Sequence, residues 1–187
     1  PSFNDTVIEQ ATRNSLLISG SSDTTLNPVF TGVQLIDSGN TSNNYACISA
    51  NTTSTALTVT GWTVQGGCNP GITVGAAAVV QDNIVRDISG VGIRLDTTYD
   101  VDVIDNAVVN NAGSGIQVRA AASGTLIENN IVRSNTGSSG GGIYLTNASA
   151  GNIDVELRNN LVLENATTSS GKSGIYVKDN ATALIVN

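Results

Sequence analysis

The chain has 187 residues and a formal net charge of -7, from eight Lys and Arg against fifteen Asp and Glu, with no histidine and no methionine. So few cations leave nucleic acid without an electrostatic stripe, and the missing histidine excludes His-dependent nucleophilic triads and metal sites built from His and Cys. No apolar run approaches the roughly 20 residues that a membrane span requires, and abundant Ser, Thr, Asn and Gly suit tight turns and strands better than amphipathic helices.

In chain order, Ser15-Leu16-Leu17-Ile18-Ser19-Gly20 reads as part of a first repeat, and residues 21–44 give the least certain pattern. Ala56-Leu57-Thr58-Val59-Thr60-Gly61-Trp62-Thr63-Val64 reads as an early repeat with Gly61 at the corner that Asn takes later. From Pro70 onward the pattern is regular. The tetrads Gly71-Ile72-Thr73-Val74, Gly92-Ile93-Arg94-Leu95, Gly115-Ile116-Gln117-Val118, Gly142-Ile143-Tyr144-Leu145 and Gly174-Ile175-Tyr176-Val177 alternate with Asn83, Asn106, Asn130 and Asn160. Self-similarity at about 20 to 30 residues predicts a solenoid.

Columns follow from the Asn. Val80, Val103, Ile127 and Leu157 stand three residues before it, and Ala78, Val101, Thr125 and Val155 five before it. Polar residues such as Gln81, Asp102, Glu128, Glu156 and Arg158 take alternate places, which predicts a strand with one face buried. Two residues after the Asn comes a column of valines, Val85, Val108, Val132 and Val162, and the tetrad supplies a third strand. Identical columns favour parallel stacking of each strand on its counterpart, about 4.8 Å above the last. The repeated Asn either passes amide hydrogen bonds along the stack or simply favours the turn.

The segments Gln81-Asp82-Asn83-Ile84-Val85, Ile104-Asp105-Asn106-Ala107-Val108, Glu128-Asn129-Asn130-Ile131-Val132 and Arg158-Asn159-Asn160-Leu161-Val162, each followed by a tetrad, carry a resemblance. The chain resembles the right-handed parallel β-helix repeat family, the fold of pectate lyases, polygalacturonases and many bacterial surface proteins. The resemblance implies an all-β, right-handed parallel β-helix of three-strand coils, about seven in all, as one domain over 1–187. Repeats are clear over 70–187 and looser over 5–69.

In that family the outer face of the tetrad strand is where enzymes build a saccharide groove. Its outward residues here would be Thr73, Gly75, Arg94, Asp96, Gln117, Arg119, Tyr144, Thr146, Tyr176 and Lys178. Tyrosine rings can lie against sugar rings, while Arg, Asp and Gln bond hydroxyls and carboxylates. A lyase acting on a uronic acid polymer would draw its base from Arg94, Arg119 or Lys178. Asp96, Asp100, Asp102 and Asp105 are either calcium ligands or a solvated acidic turn, and alternation turns Asp102 to a different side from Asp96. A hydrolase needs paired carboxylates roughly 5 to 10 Å apart, and this face offers only Asp96.

Cys47 and Cys68 lie 21 residues apart, close to one coil, so either a disulfide between neighbouring coils or two buried thiols fits. Six Asn-x-Ser/Thr sequons begin at Asn4, Asn40, Asn51, Asn147, Asn165 and Asn180; Asn51, Asn147 and Asn180 fall just after tetrad-type strands, at expected exposed turns. Successive tetrad glycines are 21, 23, 27 and 32 residues apart, with the additions in polar turns such as 135–141 and 165–173. The pattern breaks partway through a coil at Asn187, which leads us to expect covalently linked further coils or a neighbouring subunit stacked on that end. The functional expectation is an extracellular structural or adhesive solenoid that self-associates end to end and carries glycans, without a cofactor unless calcium binds. The alternative is a polysaccharide lyase or saccharide-binding β-helix.

Overall fold

The computed structural model describes residues 2–4, 7–9, 16–20, 29–31, 34–36, 45–52, 57–120, 124–146, 153–168, 172–178 and 181–186. All strand pairing among them is parallel and builds three long sheets. The tetrad sheet stacks Leu16–Gly20, Ile48–Thr52, Ile72–Val74, Ile93–Asp96, Ile116–Ala120, Ile143–Thr146 and Ile175–Lys178. The pre-ladder sheet stacks Ser2–Asn4, Val29–Thr31, Leu57–Thr60, Ala78–Gln81, Val101–Ile104, Thr125–Glu128, Ile153–Arg158 and Ala181–Val186. The valine sheet stacks Val7–Glu9, Gln34–Ile36, Thr63–Gln65, Ile84–Arg86, Ala107–Val109, Ile131–Arg133 and Leu161–Leu163. The chain visits pre-ladder, valine and tetrad sheets in turn, so seven such triplets precede the strand Ala181–Val186. The first coil begins at the strand Ser2–Asn4, earlier than the segment at Ser15 suggested, and residues 21–44 supply the strands Val29–Thr31 and Gln34–Ile36.

Register puts like on like. Ile72, Ile93, Ile116, Ile143 and Ile175 are successive partners, as are Val85, Val108, Val132 and Val162. Their inward faces fill one continuous core running along the axis, in which Val80, Val85, Ile93, Leu95, Val103, Ile116 and Val132 are wholly buried. Each such aliphatic side chain stabilises the fold by about 1.5–3 kcal/mol relative to exposure.

The tetrad glycine is fixed by sterics. A Cβ on Gly71 would lie 2.8 Å from the Gly92 carbonyl oxygen, and one on Gly92 2.7 Å from the Gly115 carbonyl oxygen and 2.6 Å from a methyl of Val108. Any larger residue would push successive coils apart, because the backbone of the coil above already fills that space.

Two corners are built alike. Asp82, Asp105, Asn129 and Asn159 end the pre-ladder strands with φ between 49° and 56°, and Asp87, Asn110, Ser134 and Glu164 end the valine strands with φ between 52° and 56°. Asp and Asn dominate both sets because their short polar side chains tolerate this left-handed region. Gly61, φ 71°, occupies the same place in the earlier coil. Pairing of Thr63 with Ile84 aligns Trp62, not Gly61, with Asn83, a one-residue correction to the early repeat. Gly61 is needed for its φ. Trp62 points into the core, 1% exposed, and its backbone N–H donates to Asn83 Oδ1 at 2.9 Å.

The repeated Asn residues do form a ladder. The backbone N–H and Nδ2 of Asn83 both donate to Asn106 Oδ1, and Asn106 likewise donates to Asn130 and Asn130 to Asn160, all at 2.9–3.0 Å. The other Nδ2 hydrogen reaches a carbonyl on the preceding strands, as from Asn106 to Val80 at 2.8 Å. A second ladder runs up the other corner, unrecognised in the sequence. Ile88 N–H donates to Asn111 Oδ1, Asn111 to Asn135 and Asn135 to Asn165, at 2.8–3.0 Å. Its signal was an Asn five residues beyond each of Asn106, Asn130 and Asn160. Burying an amide this way is favourable only because every polar atom is used.

Candidate functional site

The outer face of the tetrad sheet holds the candidate residues on neighbouring strands, since Thr73, Arg94, Gln117, Tyr144 and Tyr176 are successive register partners. Parallel stacking therefore places unlike side chains about 4.8 Å apart along one line. Charges pair within that line. Arg94 Nε lies 2.8 Å from Asp96 Oδ2 and 3.2 Å from Thr73 Oγ1, and Arg119 Nε lies 3.4 Å from Asp96 Oδ1. One carboxylate thus bridges two guanidinium groups on adjacent strands, occupying both arginines nominated as a base.

The four aspartates nominated for calcium do not converge, Asp105 standing at the corner that follows the pre-ladder strand Val101–Ile104. Asp96 is on the tetrad sheet with its arginines, Asp100 is exposed at the turn, and Asp102 is on the pre-ladder strand Val101–Ile104. No group of three His, Cys, Asp or Glu residues among those described is placed to hold a metal ion. Burial, and then the neighbouring charge of Asp100, pushes the Asp102 carboxyl above its ordinary range.

The tyrosines also differ from the sequence expectation. Tyr144 is only 5% exposed, because its ring stacks on Tyr176 at 5.3 Å between centroids and 7° between planes. Gly140, from the enlarged turn 135–141, lies against Tyr144 on the same side. Lys172 Nζ sits 4.6 Å from the centroid of the Tyr176 ring, a cation–π contact. The rings thus serve each other and the turn before any ligand. Lys178 is exposed at the end of the last tetrad strand and already has an interaction partner.

Beside this line the enlarged turn raises a wall. Strands Thr136–Gly137 and Ala166–Thr167 pair in parallel, extending the stack outward from the second amide ladder. Between this wall and Gln117 runs an open groove of about 330 Å3, lined among others by Asn69, Ser89, Ser114, Ser138, Ser139 and Thr168 and by no charged side chain. Ser89 donates to the Cys68 carbonyl at 2.7 Å and Ser114 to that of Gly140, so their hydroxyls hold the groove's floor. Apart from Gln117, sequence reasoning missed these residues; the available signal was the inserted length between successive tetrads.

Cys47 and Cys68 are joined by a disulfide, Cα to Cα 5.3 Å, both wholly buried. Of the sequons, Asn165 belongs to the second ladder: its Oδ1 accepts from Asn135 and its Nδ2, the atom a glycan would occupy, donates to the Val132 carbonyl at 2.9 Å. Asn51 lies within the strand Ile48–Thr52, not at a turn after it, and Asn4 ends the strand Ser2–Asn4. Asn40, Asn147 and Asn180 lie outside the described residues. No described helix is long and apolar enough to cross a membrane.

Comparison with known proteins agrees with the topology. No curated protein and no solved structure matches the chain. The model of the right-handed β-helix region matches residues 1–187, and with its parallel three-sheet coils and amide ladder the chain belongs to the right-handed parallel β-helix family.

Proposed function

We propose that the protein is a structural or adhesive β-solenoid that acts outside the cell and lengthens by stacking coil upon coil. The observation that carries the reading is the face of the coil containing Ile175–Lys178 and Ala181–Val186. There Ile175 and Val177 are each 38% exposed and Ile185 is 56% exposed, although their columns are wholly buried in earlier coils. Apolar area and strand edges of this kind are covered by a further parallel coil, either one that continues the same chain or one from a second copy. A second copy, stacked head to tail, presents coils of the same spacing and gives an open-ended assembly. The Cys47–Cys68 bridge supports an oxidising location, and the remaining sequons are compatible with glycan attachment there.

Negative-stain imaging and sedimentation of the 187-residue chain test the stacking. Rods of constant width and variable length are expected, shortened to single solenoids by Val177→Lys with Ile185→Lys. A wild-type chain that stays monomeric at about 100 μM overturns the reading.

A second reading, saccharide binding without turnover, is favoured by the uncharged groove beside Gln117. Hydroxyl and amide groups suit neutral polyols, and the engagement of Arg94 and Arg119 by Asp96 favours binding over lyase chemistry. Titration with a panel of neutral oligosaccharides should give binding that weakens at least tenfold in Gln117→Ala; no binding by the wild-type chain rejects it.

A further inference from the structure

The outer face of the valine sheet differs from the other two. Its first outward column, polar at Gln34 and Thr63 in the earlier coils, continues as Ile84, Ala107, Ile131 and Leu161 in register. Ile84 and Ile131 are each 45% exposed and Leu161 is 49% exposed, with Leu163 at 42% in the next outward column. The corresponding column of the pre-ladder sheet interrupts its apolar residues with charge, as Val79, Asp102, Leu126, Glu156 and Leu184, and that of the tetrad sheet includes Arg94 and Gln117. A line of exposed aliphatic side chains on a solenoid face offers apolar area that a partner can cover.

Its flanks identify the occupant. Two residues before the apolar column stand exposed Asp82 and Asp105; two residues after it stand exposed Arg86 and Arg133. Acid lies on one side and base on the other. A second copy related by a two-fold axis parallel to the solenoid would lay each apolar column against its twin, coil for coil. The same rotation exchanges the two flanks. Arg86 then faces Asp82 of the second copy, and Asp105 falls one strand spacing from the opposed Arg86 and Arg133. A two-fold axis along the strands would instead set Asp82 against Asn159 and Arg86 against Leu163, leaving the charges unmatched. Isologous contacts of this type are closed, so the surface makes a pair rather than a fibre.

We propose that the valine-sheet face is a homodimer interface in which two copies of this chain lie side by side and parallel, Ile84, Ile131 and Leu161 meeting their twins and Arg86 meeting Asp82. Among the described residues Arg86 has only a 4.0 Å contact with its own Asp87, so it can turn to the partner; Arg133 is held by Glu164 at 3.1 Å. Four coils at about 4.8 Å and five residues at about 3.3 Å give a face of roughly 300 Å2. That is well below the roughly 800 Å2 per partner of a standard interface, so the pair is weak and is seen only at high protein concentration.

The test uses the 187-residue chain with Val177→Lys and Ile185→Lys in every sample, so that head-to-tail stacking is removed and the two contacts fail independently. Sedimentation equilibrium from about 10 μM to about 1 mM should show a monomer–dimer equilibrium. Ile131→Lys, and separately Leu161→Lys, should weaken it at least tenfold with unchanged unfolding midpoints, since both side chains are exposed. Arg86→Glu should weaken it several-fold, and Arg86→Glu combined with Asp82→Lys should restore it. A monomer throughout, or indifference to both lysine substitutions, overturns the interface. A dimer that the charge exchange does not restore overturns the parallel pairing.

Discussion

The coil that carries Gly115-Ile116-Gln117-Val118 and the coil that carries Gly174-Ile175-Tyr176-Val177 are written in nearly the same residues, and they live in different surroundings. Ile116 and Val118 are wholly buried, while Ile175 and Val177 are each 38% exposed. A Cβ on Gly115 would collide with Val132 and Asn135 of the coil above, whereas one on Gly174 meets nothing within 4 Å. The amide ladders change along the same axis: Asn106 is 1% exposed, and Asn160 is only partly buried. In a solenoid a side chain's contribution is set by the coils on either side of it, so identical motifs differ in energy by their place in the stack.

Truncating the matched isoleucines should separate the two coils most. Ile116→Ala is expected to cost about 3–4 kcal/mol and Ile175→Ala about 1 kcal/mol, read from urea unfolding of the chain blocked at its open face. Equal losses would mean that the last coil is as well covered as the middle ones, as it would be in a stacked assembly. The glycines sharpen the same contrast. Gly115→Ala should destabilise by about 2 kcal/mol through overpacking, and Gly174→Ala should be neutral or stabilise by up to about 1 kcal/mol; a harmless Gly115→Ala would refute the steric account of the tetrad.

The smallest effect belongs to the outer surface. Burial raises the folded-state pKa of Asp102 above the ordinary 3.8, so its contribution to stability is fully present below that value and is lost as pH rises through the raised one. Asp102→Asn should therefore be slightly more stable than wild type at pH 7, with the difference closing below 3.8. A variant less stable than wild type at pH 7 would mean that the carboxylate is held by a favourable contact.

Much of this was legible because a repeat is its own alignment. The Ile, Val and first Asn columns recur at nearly fixed offsets, and each column in the sequence is a column in space. The second ladder escaped because Ile88 stands where its first amide would be, which hid the recurrence at Asn111, Asn135 and Asn165. Gly61 misled for a related reason: it fills the left-handed position that Asp82 fills above it, and Trp62 hides in the ladder column. At the candidate site, alternation placed Arg94, Gln117 and Tyr144 on the outer face correctly. It gave no account of what lies beside them.

That division has a physical cause. The coil, its three strands and the inward columns could be read from the sequence, since each depends on residues recurring one coil away. Which outward groups remain available emerged only from the packed coils. Asp96 is shared by two arginines, Tyr144 is covered by Tyr176 and the enlarged turn, and Asn165 is drawn into a ladder, because side chains brought about 4.8 Å apart by stacking satisfy one another before they meet solvent.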